Sequence, residues 1–346
     1  MAKKGIYIYG IVPYPYSNDM LKLFESLGLY AITFQNASAI VSDQKTNHIN
    51  YLDRESLGHL LVHHQTTIED LMNNGFNILI PMKLGTIVNS DAEVIRILSN
   101  GYELIISTFN KIEYCTEIDL VATWADFPEI LKEMSEHPDI VAMKNNILKN
   151  NDIISQSDQL KIGKLVQNLL KQKNTEAELI ILDMLSPIIL NSKTHEVMND
   201  IMLTNSAFLI DRLKSEKFEN IIDQLDEEFN GKLNFKLVGP LPCYSFYTIE
   251  TKELNPITLE KARQRLGLKE EITEPEIKKA YLEQAKLFHP DKNILNGTND
   301  HFTNIKESYH SLLEYSIAAR QSSKGNLLSL AKDKVLKNLI LVKIKE

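Results

Sequence analysis

Hydrophobic and polar positions in the first third of the chain switch repeatedly between a strand period and a helix period. Residues 6–12 (IYIYGIV) form a β-branched and aromatic run that predicts a buried strand. Further strand-like runs lie at 29–34, 37–42 and 78–81. Apolar stripes at helical spacing lie at 20–27, capped by Asp19, at 54–74, and at 92–112, capped by Asp91. The resulting order β-α-β-β-α-β-α is typical of a ferredoxin-like α+β sandwich.

A second block of mixed strands and helices follows. Predicted strands lie at 118–124, 188–192, 201–210 and 233–238, and predicted helices at 127–136, 159–185 and 212–229. The Asn-rich stretch 145–152 (NNILKNND) predicts a loop, and Gly239-Pro240 predicts the end of the last strand. This block therefore reads as a second α+β domain.

From Thr258 onward the pattern predicts helices only, and Asn255-Pro256 marks the boundary. Thr273 and Glu276 have the spacing of a capping box at the start of a helix that Pro290 ends. One face of this helix carries Ile277, Ala280, Tyr281, Gln284 and Phe288, and a second helix from about Asp300 carries Phe302, Ile305, Tyr309, Leu312 and Leu313. A short helix at 259–266 precedes them, so this part reads as a small all-α hairpin module.

These patterns predict four segments: a ferredoxin-like domain at 1–113, a second α+β domain at 114–254, a helical hairpin module at 255–322 and an amphipathic segment at 323–346. The last segment is rich in leucine and lysine and predicts a helix, with a strand at 339–344 as a variant. Such a segment could dock on an acidic body, touch a membrane or complete the core of the second domain.

Composition narrows the classes of function. The 346 residues carry a formal charge of −8, which argues against a nucleic-acid-wrapping protein because phosphate neutralisation needs a basic surface. Two cysteines, Cys115 and Cys243, predict reduced thiols in a cytosolic protein rather than a disulfide framework. No run approaches the roughly 18 apolar residues of a membrane helix. Gly10 and Pro13 interrupt the first apolar run, so we expect neither a signal peptide nor a transmembrane segment.

Candidate catalytic chemistry is sparse. The chain has no G-x-S-x-G, no P-loop and no H-E-x-x-H motif. His59 and His63 have the i, i+4 spacing of a zinc pair, but no third ligand follows from spacing, and we interpret them as ordinary helix histidines. Trp124 is predicted to lie in the core, and the acidic run 226–228 to form a solvated face. We therefore expect no enzyme, cofactor or metal site; a pocket of ionisable groups around His59 and His63 would revive the enzyme hypothesis.

The helical module resembles a known family. The runs LEKARQRLGL, TEPEIKKAYLEQAKLFHPDKN and HFTNIKESYHSLL, spanning about residues 257–320, are similar to the J domain of DnaJ-type co-chaperones. The resemblance implies that a polar tip and a basic helix face engage a DnaK-type chaperone and promote its ATP hydrolysis. The matching residues are His289, Pro290 and Asp291 at the tip, with Lys278, Lys279, Lys286 and Lys292. Leu282, Glu283 and Leu287 depart from the usual Arg/Lys-rich pattern, so a purely structural hairpin is the alternative.

The first 250 residues also resemble a family. IYIYGIV, the segment from His63 to Leu98 and the segment from Ala207 to Phe246, which closes with GPLPCYSF, are similar to gas-vesicle GvpF/GvpL proteins. This implies two α+β domains, no catalysis, and an accessory role in assembling gas vesicles in the cytoplasm. The implied partners are the shell protein GvpA and other gas-vesicle proteins. The alternative is a general DnaJ-type co-chaperone whose front half is an unrelated client-binding platform.

Overall fold

The computed structural model describes residues 4–45, 53–150, 155–288, 298–322, 328–330 and 340–345. The chain forms two compact units: Met1–Glu113 together with Tyr247–Glu346, and Tyr114–Phe246. The hairpin module thus belongs to the same unit as the N-terminal sheet, while the four-segment division of the chain stays a prediction. None of the helices in the described ranges is long and apolar enough to cross a bilayer.

An antiparallel sheet forms the centre of the first unit. Its strands are β1 (Lys4–Pro13), β2 (Tyr30–Phe34), β3 (Ala37–Lys45), β4 (Ile80–Pro81) and β5 (Ile87–Val88). Their spatial order is β2-β3-β1-β4, with β5 also paired to β1. The helices are α1 (Asn18–Ser26), α2 (Arg54–Asn73), α3 (Asp91–Asn100) and α4 (Tyr102–Ile112). This is the strand order of a ferredoxin-like β-α-β-β-α-β unit, as the sequence predicts.

Two local predictions in this unit are wrong. The α1 cap is Ser17, whose side chain accepts a hydrogen bond from Met20 N, rather than Asp19. The single helix expected over 92–112 is two helices, α3 and α4, which meet at Gly101. A side chain at Gly101 would collide with Val342, because an ideal Cβ there lies 2.8 Å from Val342 Cγ1.

The second unit repeats the same topology. Its strands are β6 (Cys115–Trp124), β7 (Ile189–Thr194), β8 (Met202–Asp211) and β9 (Leu233–Leu241), in the order β7-β8-β6-β9. Its helices are α5 (Phe127–Ser135), α6 (Pro138–Asn150), α7 (Gln156–Leu185) and α8 (Ser215–Glu228). Replacing β1 to β4 of the first sheet by β6 to β9 gives the same neighbours throughout. The second domain is therefore also ferredoxin-like in strand order, with two extra helices in its first crossover.

Two predictions differ from this second unit as well. The stretch 145–150, expected to be a loop, forms the end of α6, and residues 151–154 lie outside the described ranges. Strand β9 continues through Gly239-Pro240 to Leu241 instead of ending there. A register shift opposite Glu117 and Asp119 accommodates this irregular backbone, as a bulge does, so pairing with β6 resumes at Leu241.

The core of the second unit contains the only tryptophan of the chain. Trp124 is buried, its Nε1 donates to Asn174 Oδ1 at 2.9 Å, and Lys173 Nζ lies 5.6 Å from its ring centroid. The core prediction for Trp124 is therefore confirmed. The acidic run 226–228 is exposed at the end of α8, as expected for a solvated face.

The rest of the first unit is not purely helical. It contains β10 (Thr248–Glu253), α9 (Pro256–Arg265), β11 (Glu271–Ile272), α10 (Glu274–Phe288), α11 (Thr298–Ser322), β12 (Leu328–Ser329) and β13 (Ile340–Lys345). Strand β13 pairs with β10, and β12 pairs with β11. The expectation of helices alone after Thr258 is thus wrong, whereas the variant with a terminal strand is confirmed. The helix expected before that strand falls largely on residues 331–339, outside the described ranges.

Strand β13 uses its two faces to join the hairpin to the joint between α3 and α4. Leu341 lies in the hairpin core, whereas Val342 packs against Gly101. Asn100 Nδ2 donates to Ile340 O at 3.0 Å, and the Gln321 side chain hydrogen-bonds both the N–H and the carbonyl of Val342. Neighbouring side chains of one strand therefore fasten two modules to each other.

Candidate functional site

The helical hairpin is built on one apolar core. Ile277 of α10 and Ile305 and Leu312 of α11 are fully buried. Leu259 of α9 and Leu266, which directly follows α9, belong to the same core. The rings of Tyr281 and Tyr309 stack at 4.3 Å between centroids, which joins the middle of α10 to α11. The predicted apolar faces of both helices are therefore the packed faces.

The glutamate half of the predicted capping box forms at the start of α10. Glu276 accepts hydrogen bonds from Thr273 N at 2.7 Å and from the Thr273 hydroxyl at 2.8 Å. These hydrogen bonds hold the pKa of Glu276 below its usual range. The cap satisfies a backbone donor that the first turn would otherwise leave unpaired, so the start of α10 is fixed.

A second aromatic stack fixes the other end of α10. The ring of Phe288, the last residue of α10, lies parallel to the ring of His301 on α11, with centroids 4.3 Å apart and an interplanar angle of 5°. The stack therefore sets the distance between the end of α10 and the first turn of α11. The predicted tip residues His289, Pro290 and Asp291, and the neighbouring Lys292, lie outside the described residues.

The outer surface of α10 carries the remaining predicted basic residues. Lys278, Lys279 and Lys286 are exposed and form no ion pair within the described ranges. Lys279 and Lys286 lie seven residues apart, about 10 Å along the helix axis. We define the α10 outer surface as the exposed residues that follow: Lys278, Lys279, Leu282, Glu283, Lys286 and Leu287. Its charge is net positive on a chain that is acidic as a whole.

Sequence reasoning missed three contacts that hold the hairpin together, the first of them between Phe288 and His301. His301 precedes the predicted apolar stripe of α11 and gave no signal of its own. Glu274 forms an ion pair with Arg320, and Arg265 Nη1 donates to the Ser308 hydroxyl at 3.2 Å. Each contact joins residues on different helices, which a local pattern cannot pair. The one available signal for the aromatic contacts was that Tyr281 and Phe288 lie seven residues apart on one face of α10.

Two of the three histidines of α2, His63 and His64, form hydrogen bonds with tyrosines of β1. Tyr7 Oη lies 2.9 Å from His64 Nδ1, and Tyr9 Oη lies 3.1 Å from His63 Nε2. The side chain of His59 is 82% exposed and lies 4.0 Å from Glu55. Burial lowers the pKa of His64 to about 4, so this ring is neutral at pH 7. Within the described residues, no three potential metal ligands lie close enough together to hold an ion.

The motif GPLPCYSF surrounds a buried carboxylate. Glu117 on β6 accepts hydrogen bonds from Ser245 N at 2.8 Å and from the Ser245 hydroxyl at 2.7 Å. Burial raises the pKa of Glu117 to about 7, and the adjacent Asp119 also has a raised pKa. Lys193 Nζ donates to Ser245 O at 2.8 Å, which holds the segment from the other side. The motif is therefore fastened to the second sheet by hydrogen bonds to β6 and β7.

Both cysteines are free thiols, as expected from their number. Cys243 is buried inside the same motif, and burial raises the pKa of its thiol far above its usual range. Cys115 is half-buried, and its pKa is also raised by burial. Neither thiol is therefore poised as a nucleophile.

Together, two ferredoxin-like α+β sheets and a capped, aromatic-stacked helical hairpin define a two-sheet protein with an appended J-type module. The sequence profile described as "Gas vesicle synthesis protein GvpL/GvpF" matches residues 5–248, and that of the DnaJ domain matches residues 264–317. The chain belongs to the GvpL/GvpF family of gas vesicle proteins.

Individual relatives agree with both matches. Gas vesicle protein F of Nostoc sp. is 24% identical over 249 residues, covering 71% of this chain and 98% of the relative. Chaperone protein DnaJ of Lactococcus lactis subsp. cremoris is 39% identical over 62 residues, covering 18% of this chain and 16% of the relative.

Solved structures share the fold of the front part. The crystal structure of GvpF from Anabaena sp. aligns with a TM-score of 0.58 at 21% identity, covering 70% of this chain and 97% of that chain. GvpF from Microcystis aeruginosa aligns with a TM-score of 0.55 at 20% identity, covering 70% and 98%. The mixed helix-and-sheet fold and the resemblance to both families are therefore confirmed.

Proposed function

We propose that this chain is a non-enzymatic assembly protein of gas vesicles in the cytoplasm. Its two α+β domains bind the shell protein GvpA, and its J module recruits a DnaK-type chaperone. The family match over residues 5–248 supports the gas-vesicle role. The observation that carries the chaperone role is the exposed lysine row of α10, held by a cap at one end and an aromatic stack at the other.

The two activities have a common physical purpose. A shell protein that lines a gas compartment exposes apolar surface before it assembles, and exposed apolar surface aggregates. Joining a shell-binding body to a chaperone-recruiting module raises the effective concentration of one partner near the other. In this chain, β13 fastens the module to the joint between α3 and α4, so the module is held close to the first α+β domain.

The chaperone role is tested with a single-turnover ATPase assay on a DnaK-type chaperone. We expect the intact protein to stimulate hydrolysis and His289→Gln to abolish stimulation, because His289 is the first residue of the predicted tip. Binding of both proteins to purified GvpA is measured in parallel and should be equal. Equal stimulation by both proteins would refute the predicted tip.

The alternative function is that of a general DnaJ-type co-chaperone. It is tested by competition, in which the intact protein binds labelled GvpA in the presence of excess unfolded, unrelated protein. We expect GvpA binding to survive the competitor. Displacement at equal affinities would favour the general co-chaperone and would leave the gas-vesicle role without support.

A further inference from the structure

Leucine side chains are unexpectedly exposed on the α10 outer surface. Leu282 is 47% exposed and Leu287 is 64% exposed, whereas Leu259, Leu266 and Leu312 of the same module are buried. A single exposed leucine is ordinary on a protein surface. Here Leu282 lies among three lysines of α10, at a position where the DnaJ-type pattern is rich in arginine and lysine, and Leu287 lies further around the helix, beside Glu283.

Helical spacing arranges these residues in two adjacent rows. One row reads Lys278, Leu282, Lys286 at i, i+4 and i+8, and the neighbouring row reads Lys279, Glu283, Leu287. Leu282 therefore lies between two lysines of its own row. A partner that neutralises Lys278 and Lys286 has to cover Leu282 as well, because the leucine lies one helical turn from each.

The two kinds of side chain have different effects on binding. Exposed lysines attract an acidic surface over a distance, and salt screens this attraction within about 10 Å at 0.1 M ionic strength. An apolar side chain acts only on contact, and its contribution is not screened by salt. A surface that combines both therefore selects a partner with an apolar recess inside an acidic surface.

We infer that Leu282 is a partner-contacting anchor of the J module, and that it selects a DnaK-type chaperone whose acidic docking surface contains an apolar recess. This inference rests on the proposed chaperone role and adds the residue that distinguishes one chaperone from another. The lysines give the encounter its speed and orientation, and Leu282 lengthens the lifetime of the complex.

The test measures the affinity of the full chain for a purified DnaK-type chaperone at low and at high salt. Leu282→Ala should weaken binding about 5- to 10-fold at both salt concentrations, the effect of losing an interface anchor. Lys279→Gln should weaken binding at low salt, and that effect should shrink at high salt. Ile257→Ala on α9 is the matched control, because Ile257 is 67% exposed but lies on another helix; its affinity should equal that of the unchanged protein.

The outcomes separate this inference from the proposed function. If the unchanged protein binds, His289→Gln loses stimulation and Leu282→Ala binds normally, the anchor is refuted while the chaperone role stands. If the unchanged protein binds no DnaK-type chaperone, both are refuted. Sedimentation of the full chain alone tests whether a second copy of the chain binds the α10 outer surface. Self-association that Leu282→Ala abolishes would overturn the inference. Circular dichroism confirms that each variant is folded.

Discussion

Gly101 and Val342 are in contact although they lie about 240 residues apart along the chain. The joint between α3 and α4 reaches so close to β13 that a methyl group on Gly101 would lie 2.8 Å from Val342 Cγ1 and 3.3 Å from Ile105 Cδ1. Gly101 has φ −86°, which other residues also adopt. Contact with Val342, and not backbone freedom, therefore accounts for a glycine at this position.

We expect Gly101→Ala to destabilise the first unit by about 1–3 kcal/mol, the usual effect of overpacking. Gly163→Ala is the control, because Gly163 lies inside α7 with nothing within 4 Å of an added Cβ. There, alanine should stabilise the second unit by up to ~1 kcal/mol. Urea unfolding followed by circular dichroism measures both. A stabilising Gly101→Ala would show that the strand yields to the new methyl group.

The same contact predicts coupling between two substitutions. Val342→Ala removes the Cγ1 atom that the new methyl group would meet. We expect the loss of stability from Val342→Ala to be smaller on a Gly101→Ala background than in the unchanged protein, with a coupling energy of about 0.5–3 kcal/mol. A double-mutant cycle in urea gives this number. Simple additivity would contradict the proposed steric origin.

Glu117 predicts a pH dependence for the second unit. The pKa of Glu117 is about 7 in the folded protein, against an ordinary value of 4.5. Between pH 4.5 and 7 the folded state therefore binds more protons than the unfolded state. The stability of this unit should therefore fall as pH rises from about 4.5 to 7 and then level off. One pKa unit corresponds to ~1.4 kcal/mol, so the change is a few kcal/mol at most.

Fluorescence of Trp124 follows this unit alone, because no other tryptophan is present. In Glu117→Gln the fall in stability with rising pH should be much smaller, since glutamine does not titrate and Asp119 is the other carboxylate there with a raised pKa. Asp223→Asn is the control at an exposed carboxylate and should keep the slope. An unchanged slope in Glu117→Gln would assign the effect to another group.

His64 predicts the opposite slope for the first unit. The His64 ring is buried, with its Nδ1 2.9 Å from Tyr7 Oη, and burial disfavours the charged form of the ring. The folded pKa of about 4 lies below the ordinary 6.5, so stability is complete above pH 6.5 and is lost as pH falls towards 4. Hydrogen exchange of the β1 amides measures this, and His64→Gln should flatten the dependence. A control, His59→Gln at the exposed position, should leave it unchanged.

The Phe288–His301 stack predicts a defect in chaperone stimulation without unfolding. Phe288→Ala should lower stimulation of a DnaK-type ATPase about 5- to 10-fold, because the end of α10 then loses its fixed distance from α11. His301→Phe keeps an aromatic ring and should retain stimulation, whereas His301→Ala should not. Equal activity of the two His301 variants would show that the tip is positioned by other contacts.

Local pattern predicts most of this fold and fails where contacts are distant. Helix and strand periods locate β1, α2 and β6, and the same helix period correctly predicts that Lys278, Lys279 and Lys286 are exposed. The break at Gly101 depends on Val342, far away along the chain, so it has no local signal, and the sequence indicates β13 only as a variant of a helix. Three helices between β6 and β7 conceal the repeated topology of the second sheet. The role of His301 likewise depends on its contact with Phe288 on another helix, so the sequence around His301 does not predict it.

Strand β13 also sets the order in which the protein can fold during synthesis. Residues 114–246 form one continuous stretch, so the second unit has all its strands as soon as that stretch leaves the ribosome. The first unit starts earlier along the chain but lacks Leu341 and Val342 until those two residues have been synthesised. The first unit therefore stays incomplete until β13 has been synthesised. The second unit can complete its fold earlier.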